Sequence, residues 1–184
     1  MNFIPEQPKN KTPAVPFFDD VKASDGWQGQ TTSKLIDTLQ REIKEAIVRL
    51  GGLVTGFQSG TFTTAKQRRQ GFQVHYVIEG QDGSMTRGRI DIAALPVKED
   101  YRLQRSLKTR RKQSLKMALY MLREALNGTW FLQQLSPGYA ALLPWMLADG
   151  ERTLTQAWTE KATMGLLLPP GNYEFVEGSF KEIA

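Results

Sequence analysis

Between Arg102 and Lys116 the chain carries seven cations, Arg102, Arg105, Lys108, Arg110, Arg111, Lys112 and Lys116, and no acid. The chemistry open to such a run is the binding of anions. On a helix, like charges at four-residue spacing repel. Near a helix N-terminus cations also oppose the macrodipole, at a cost of about 0.3–1 kcal/mol each in the first turn. A bound polyanion relieves both terms, because phosphates neutralise the repulsion and helix N-termini attract anions. The competing reading is a solvated face, with Arg102 and Arg105 in a loop and some charges paired to Glu99 and Asp100 just upstream.

A second basic group stands earlier in the chain. Lys66, Arg68 and Arg69 fall in a polar loop at 64–71, and Arg87 and Arg89 fall on a predicted strand. The candidate nucleic-acid contacts are therefore Arg105, Lys108, Arg110, Arg111, Lys112 and Lys116, helped by Lys66, Arg68, Arg69, Arg87 and Arg89. Alternation turns the strand aromatics mostly inward, which favours phosphate contact over base stacking and implies little sequence specificity.

Enzyme chemistry finds less support. His75 is the one histidine and there is no cysteine, so a two-histidine relay, a thiolate metal site and a cysteine nucleophile are excluded within one chain. A metal-dependent nuclease needs clustered carboxylates and a lysine near a strand end. Glu42 or Glu45, Asp91 and Lys98 are the set available, and Asp91 has no second acid with a lysine two residues on. No phosphate loop, nucleophile elbow or dinucleotide fingerprint occurs. No catalytic residue, metal or cofactor is assigned.

Positions 1–30 form an extended or disordered arm, with Pro5, Pro8, Pro13 and Pro16 among Lys, Asn and Gln. Phe17, Phe18 and Trp27 pin this arm to its own domain or dock it on another chain. Positions 31–184 form one domain. Thr32 or Ser33 caps a helix whose stripe runs through Leu35, Ile36, Leu39, Ile43, Ala46, Ile47 and Leu50, and Gly51-Gly52 end it. Strands follow at 53–63, 72–79 and 85–95, with Gly56 and Gly60 marking bulges in the first.

Gln81-Asp82-Gly83 suits a three-residue hairpin loop with Gly83 in the left-handed position. That loop places Val74 opposite Ile90, Phe72 opposite Ile92 and Tyr76 opposite Gly88. It leaves His75 facing Arg89, Val77 facing Arg87 and Gln73 facing Asp91 on the outer face. A long helix lies within 101–127 and ends at Gly128. Short helices at 139–147 and 154–162, and a closing strand at 173–176, complete the chain. The predicted fold is α+β, with an N-terminal helix, a three-stranded antiparallel meander, and C-terminal helices packing on one face of the sheet. Over 33–127 this order and charge resemble the core of Rad52-type single-strand annealing proteins, which bind DNA along rings of subunits.

Composition sets the frame. Across 184 residues, 40% are hydrophobic and 23% charged, a globular balance. The net charge of +5 makes an acidic partner plausible. The longest apolar stretch, 139–148, is broken by Pro144 and is too short for a membrane span. Positions 1–11 have no apolar core and do not read as a secretory leader. The sequence thus reads as a cytoplasmic, non-enzymatic nucleic-acid-binding or accessory protein. The alternatives are an oligomeric assembly protein, joined to a copy or a partner through the Trp130, Phe131, Trp145, Met146, Leu147 and Trp158 region, and a metal-dependent nuclease.

Overall fold

The computed structural model describes residues 15–63, 68–80, 82–99, 106–136, 139–163, 173–176 and 179–182. Lys66 and Arg105 lie outside them. A 3-10 turn, Ala23–Asp25, precedes helix α1, Ile36–Arg49. Strands β1 (Gly52–Thr63), β2 (Arg68–Glu79) and β3 (Met85–Ala93) follow, then helix α2 (Leu107–Leu135). A 3-10 turn at Leu143–Trp145, helix α3 (Leu154–Thr163) and a hairpin of β4 (Tyr173–Val176) and β5 (Ser179–Glu182) close the order. The class is α+β.

The sheet is an antiparallel meander, β1-β2-β3. Its β2–β3 register pairs Val74 with Ile90, Phe72 with Ile92, Tyr76 with Gly88 and His75 with Arg89. The turn sets this register: Gly83 sits at φ 75°, and the Gly80 amide donates to the Ser84 carbonyl at 2.8 Å. In β1 the ladder slips between Val54 and Gly56, a bulge at one of the two positions the glycines mark.

Leu39, Ile43 and Ile47 of α1 and Leu119, Leu122 and Leu126 of α2 pack on the sheet face that carries Phe72, Val74, Tyr76 and Ile90. Tyr76 closes this core. Its hydroxyl donates to the Leu142 carbonyl at 3.1 Å, and burial pushes the phenol far above its usual range. A Cβ at Gly88 would stand 2.1 Å from the Tyr76 ring, so only glycine fits opposite it.

Five expectations are corrected. Arg68 and Arg69 belong to β2 and not to a loop, and of the helix expected at 139–147 only the 3-10 turn Leu143–Trp145 forms. Helix α1 begins at Ile36 with no side-chain cap, because the Thr32 hydroxyl accepts from the Lys34 amide in a local turn instead. Helix α2 runs through Gly128 to Leu135, about 44 Å in all. One interior glycine costs about 1 kcal/mol, and beyond it Trp130 packs against the core and under the Arg49 guanidinium. The C-terminal helices do not all share one face. Gln156 of α3 binds Arg89, which projects from the face opposite Val74 and Ile90.

Residues 15–31 lie against the link from β3 to α2. The Phe18 amide donates to the Pro96 carbonyl at 2.8 Å. Phe18, Val21 and Met117 form a second core with Trp27, Leu95, Val97 and Met121. Phe17 stays partly exposed beneath the Lys98 ammonium. No helix among the described residues is long and apolar enough to cross a membrane.

Candidate anion-binding cleft

Ser106 starts α2 by accepting the Thr109 amide on its hydroxyl, a cap of the usual kind. From there the helical repeat sorts the cations. A step of one residue turns about 100°, so neighbours in sequence point to different surroundings. Lys108, Arg111 and Lys112, spaced by three and four, are exposed on one side. Arg110, Ser114 and Met117 are buried on the other.

The buried side is held by the chain's own acceptors. The Arg110 guanidinium meets both carboxylate oxygens of Asp19 at 3.0 Å and the Lys98 carbonyl at 2.8 Å. Both side chains of this pair are under a tenth exposed. The first turn of α2 contains no acid, and Asp19 supplies from the arm the negative charge that the helix N-terminus favours. Further along, Ser114 donates to the Leu95 carbonyl, and Lys116 and Gln113 both donate to the Thr32 carbonyl. Lys116 is buried.

On the exposed side, Arg111 borders a cleft of about 430 Å³. Arg68, Arg69 and Gln70 of β2 form one wall, residues 94–97 and Glu99 another, and Arg111 of α2 a third. The structure thus brings two cation groups, far apart in sequence, to one opening. Arg69 serves as wall: its guanidinium donates to the Ala94 carbonyl at 2.7 Å and the Ala93 carbonyl at 3.1 Å, and burial lowers its pKa. Arg111 is half exposed and reaches Glu99, itself largely exposed, at 3.3 Å. Such an exposed pair is worth about 0–1 kcal/mol and yields readily to a stronger anion. Among the described residues Arg68, Lys108 and Lys112 have no acidic partner.

Arg87 and Arg89 are elsewhere. They line a separate cleft of about 510 Å³ with His75, Thr55 and Gln58. Arg89 is occupied there by Asp91 at 3.1 Å, the Glu151 carbonyl at 2.8 Å and Gln156 at 3.2 Å. Arg87 is exposed, and the His75 Nε2 is shielded without a partner among the described residues.

The residues weighed for a nuclease are engaged apart from one another. Glu42 binds Lys34 at 2.5 Å and Arg123 at 2.6 Å; the Lys34 hydrogen bond, ahead of Arg123, holds its carboxyl below the usual range. Asp91 binds Arg89, and Lys98 binds Asp20. Among the described residues no three metal-ligating side chains gather. In the C-terminal third, Phe131, Leu132, Leu135 and Trp158 are exposed, whereas Trp130 and Trp145 pack on the core.

Sequence reasoning missed Asp19 as the partner of Arg110 and missed residues 94–97 as cleft wall. The one signal available for the wall was Pro96, which lies just past the end of β3 and bars the strand from continuing. No family model, curated protein or solved structure matches the chain. What the cleft binds therefore has to follow from its chemistry. The Arg68 and Arg111 guanidiniums at the cleft, with Glu99 the one acid lining it among the described residues, suit a phosphate, to whose oxygens they offer planar forks; Lys108 and Lys112, exposed on the same side of α2 as Arg111, add point charges outside it.

Proposed function

We propose that the protein is a cytoplasmic, non-enzymatic nucleic-acid-binding protein. Its phosphate contacts are Arg68 and Arg111 at the cleft and Lys108 and Lys112 on the adjoining face of α2. The observation that carries this reading is the convergence of Arg68 from β2 and Arg111 from α2 on one opening, beside two further exposed cations. Lys66 and Arg105 stand near these residues in sequence and lie outside the described residues. Arg110, Lys116, Arg69 and Arg89 hold the fold and shape the surface instead of meeting ligand.

Phe72 and Tyr76 are buried in the inner core, which leaves little aromatic surface on the strands for bases to stack on. Recognition therefore rests on the backbone and carries little sequence specificity. The test is fluorescence anisotropy with labelled single- and double-stranded oligonucleotides at several salt concentrations. The reading expects binding whose logarithm falls linearly with the logarithm of salt, with a slope set by about one displaced counterion per phosphate contact. Absence of binding at low salt to every oligonucleotide would remove it.

A further inference from the structure

Strand β1 is an edge of the sheet. Among the described residues it is hydrogen-bonded to β2 alone, and no backbone group outside the sheet bonds to it. The opposite edge is treated differently. Met146 bridges to Gly88, and the Leu147 amide donates to the Arg87 carbonyl at 2.9 Å, so a short stretch of chain covers β3.

An unpaired strand offers a row of free N–H and C=O groups to any other strand. Proteins usually blunt such edges by making them short, by placing lysines, other charges or prolines on them, by bulging them, or by covering them. β1 has twelve residues, Gly52–Thr63, against a typical five or six. It contains no charged residue and no proline. Its one bulge lies near its start, between Val54 and Gly56, which leaves a regular ladder of about 27 Å from Gly56 to Thr63. The charged strand positions lie instead on β2 and β3, at Arg68, Arg69, Glu79, Arg87, Arg89 and Asp91. The distribution is the reverse of what edge protection requires.

We infer that β1 is a pairing edge for β1 of a second copy of this chain, giving one antiparallel six-stranded sheet across a two-fold axis. Charge selects this occupant. An acidic or basic peptide finds no complementary charge along β1, whereas a second β1 meets it without like-charge repulsion. Two-fold pairing also satisfies both edges at once and closes the assembly, because each copy presents the same surface. Gln58, Ser59, Gly60 and Thr61 are all exposed at the middle of the strand, leaving it open to approach.

Sedimentation velocity of the full chain over a concentration series tests this, with two charge variants. Gln58→Lys/Ser59→Lys brings four ammoniums to the centre of the pair, and Gln58→Glu/Ser59→Glu brings four carboxylates. The expected result is a concentration-dependent dimer for the native chain. Each variant alone has a dissociation constant raised about tenfold or more, and mixing the two variants restores the dimer. A native chain that stays monomeric at every concentration overturns the inference. So does a variant that dimerises like the native chain, or a mixture that fails to re-form the pair. Hydrogen exchange of the native chain guards against a variant that does not fold. Exchange of the β1 amides slows as concentration rises if the edge pairs, and concentration-independent exchange there overturns the inference as well.

Discussion

Arg110 and Arg111 follow one another in α2, yet one is sealed beneath residues 15–31 and the other stands at the mouth of a cleft. Arg110 is bound by Asp19 and the Lys98 carbonyl; among the described residues Arg111 meets the exposed carboxylate of Glu99. The difference shows that a basic run is not a functional unit. One step along a helix turns a side chain by about 100°, and that turn separates cations that hold the fold from cations left to meet a ligand. The inner region is closed: Arg110 is matched by Asp19, and the buried Lys116 ammonium is taken by the Thr32 carbonyl. The outer region is electrically open.

The strongest way to break this comparison is to remove the inner arginine. Arg110→Ala leaves the Asp19 carboxylate in a nearly dry site with the Lys98 amide at 2.8 Å but without its counter-charge, and losing one partner of a buried pair costs about 3–5 kcal/mol. Urea denaturation should show that loss as a lowered midpoint. A near-native midpoint would mean that the junction is not closed.

A smaller effect is expected at Glu42, whose carboxylate joins α1 to α2 through Arg123 and also takes Lys34. Glu42→Gln should cost about 1–2 kcal/mol at neutral pH. Because the folded-state pKa of Glu42 lies below its ordinary value of 4.5, its contribution is complete above that value and is lost as pH falls through the lowered one. Melting temperatures of the native chain and the variant should therefore converge in acid. Parallel curves at all pH values would show that the carboxylate is not the source.

The smallest effect on stability belongs to the outer region. Lys108→Glu/Arg111→Glu/Lys112→Glu changes exposed groups and should leave the unfolding free energy within about 0.5 kcal/mol per site. Yet it should abolish oligonucleotide binding measured by anisotropy. Wild-type affinity in this triple variant would move the ligand surface elsewhere, with Arg87 the next cation to test.

What was legible in the sequence was local. The Asp82-Gly83 turn chemistry and the strict alternation of Phe72, Val74, Tyr76 and Ile78 specify the β2–β3 register, because a slip of one residue would put every apolar side chain on the wrong face. The α1 stripe was legible for the same reason. The rest depended on distant contacts. Asp19 and Arg110 are separated by 91 positions, and no spacing rule links them. Helix α2 passes Gly128 because Trp130 finds the core and Arg49, which a propensity scale does not register. The cationic residues of the cleft were all among the expected contacts, but their grouping was not. Arg68 and Arg111 line one cleft together with residues 94–97, which follow β3, whereas Arg87 and Arg89, equally basic in sequence, open into another cleft.

The most direct test of the shared cleft is a double-mutant cycle on oligonucleotide affinity, using Arg68→Ala, Arg111→Ala and the double variant at fixed low salt. If both guanidiniums grip the same phosphate, the two losses will not add, and the coupling will be at least about 0.5 kcal/mol. Strict additivity, or no loss in either single variant, would contradict the claim that the two walls act on one ligand.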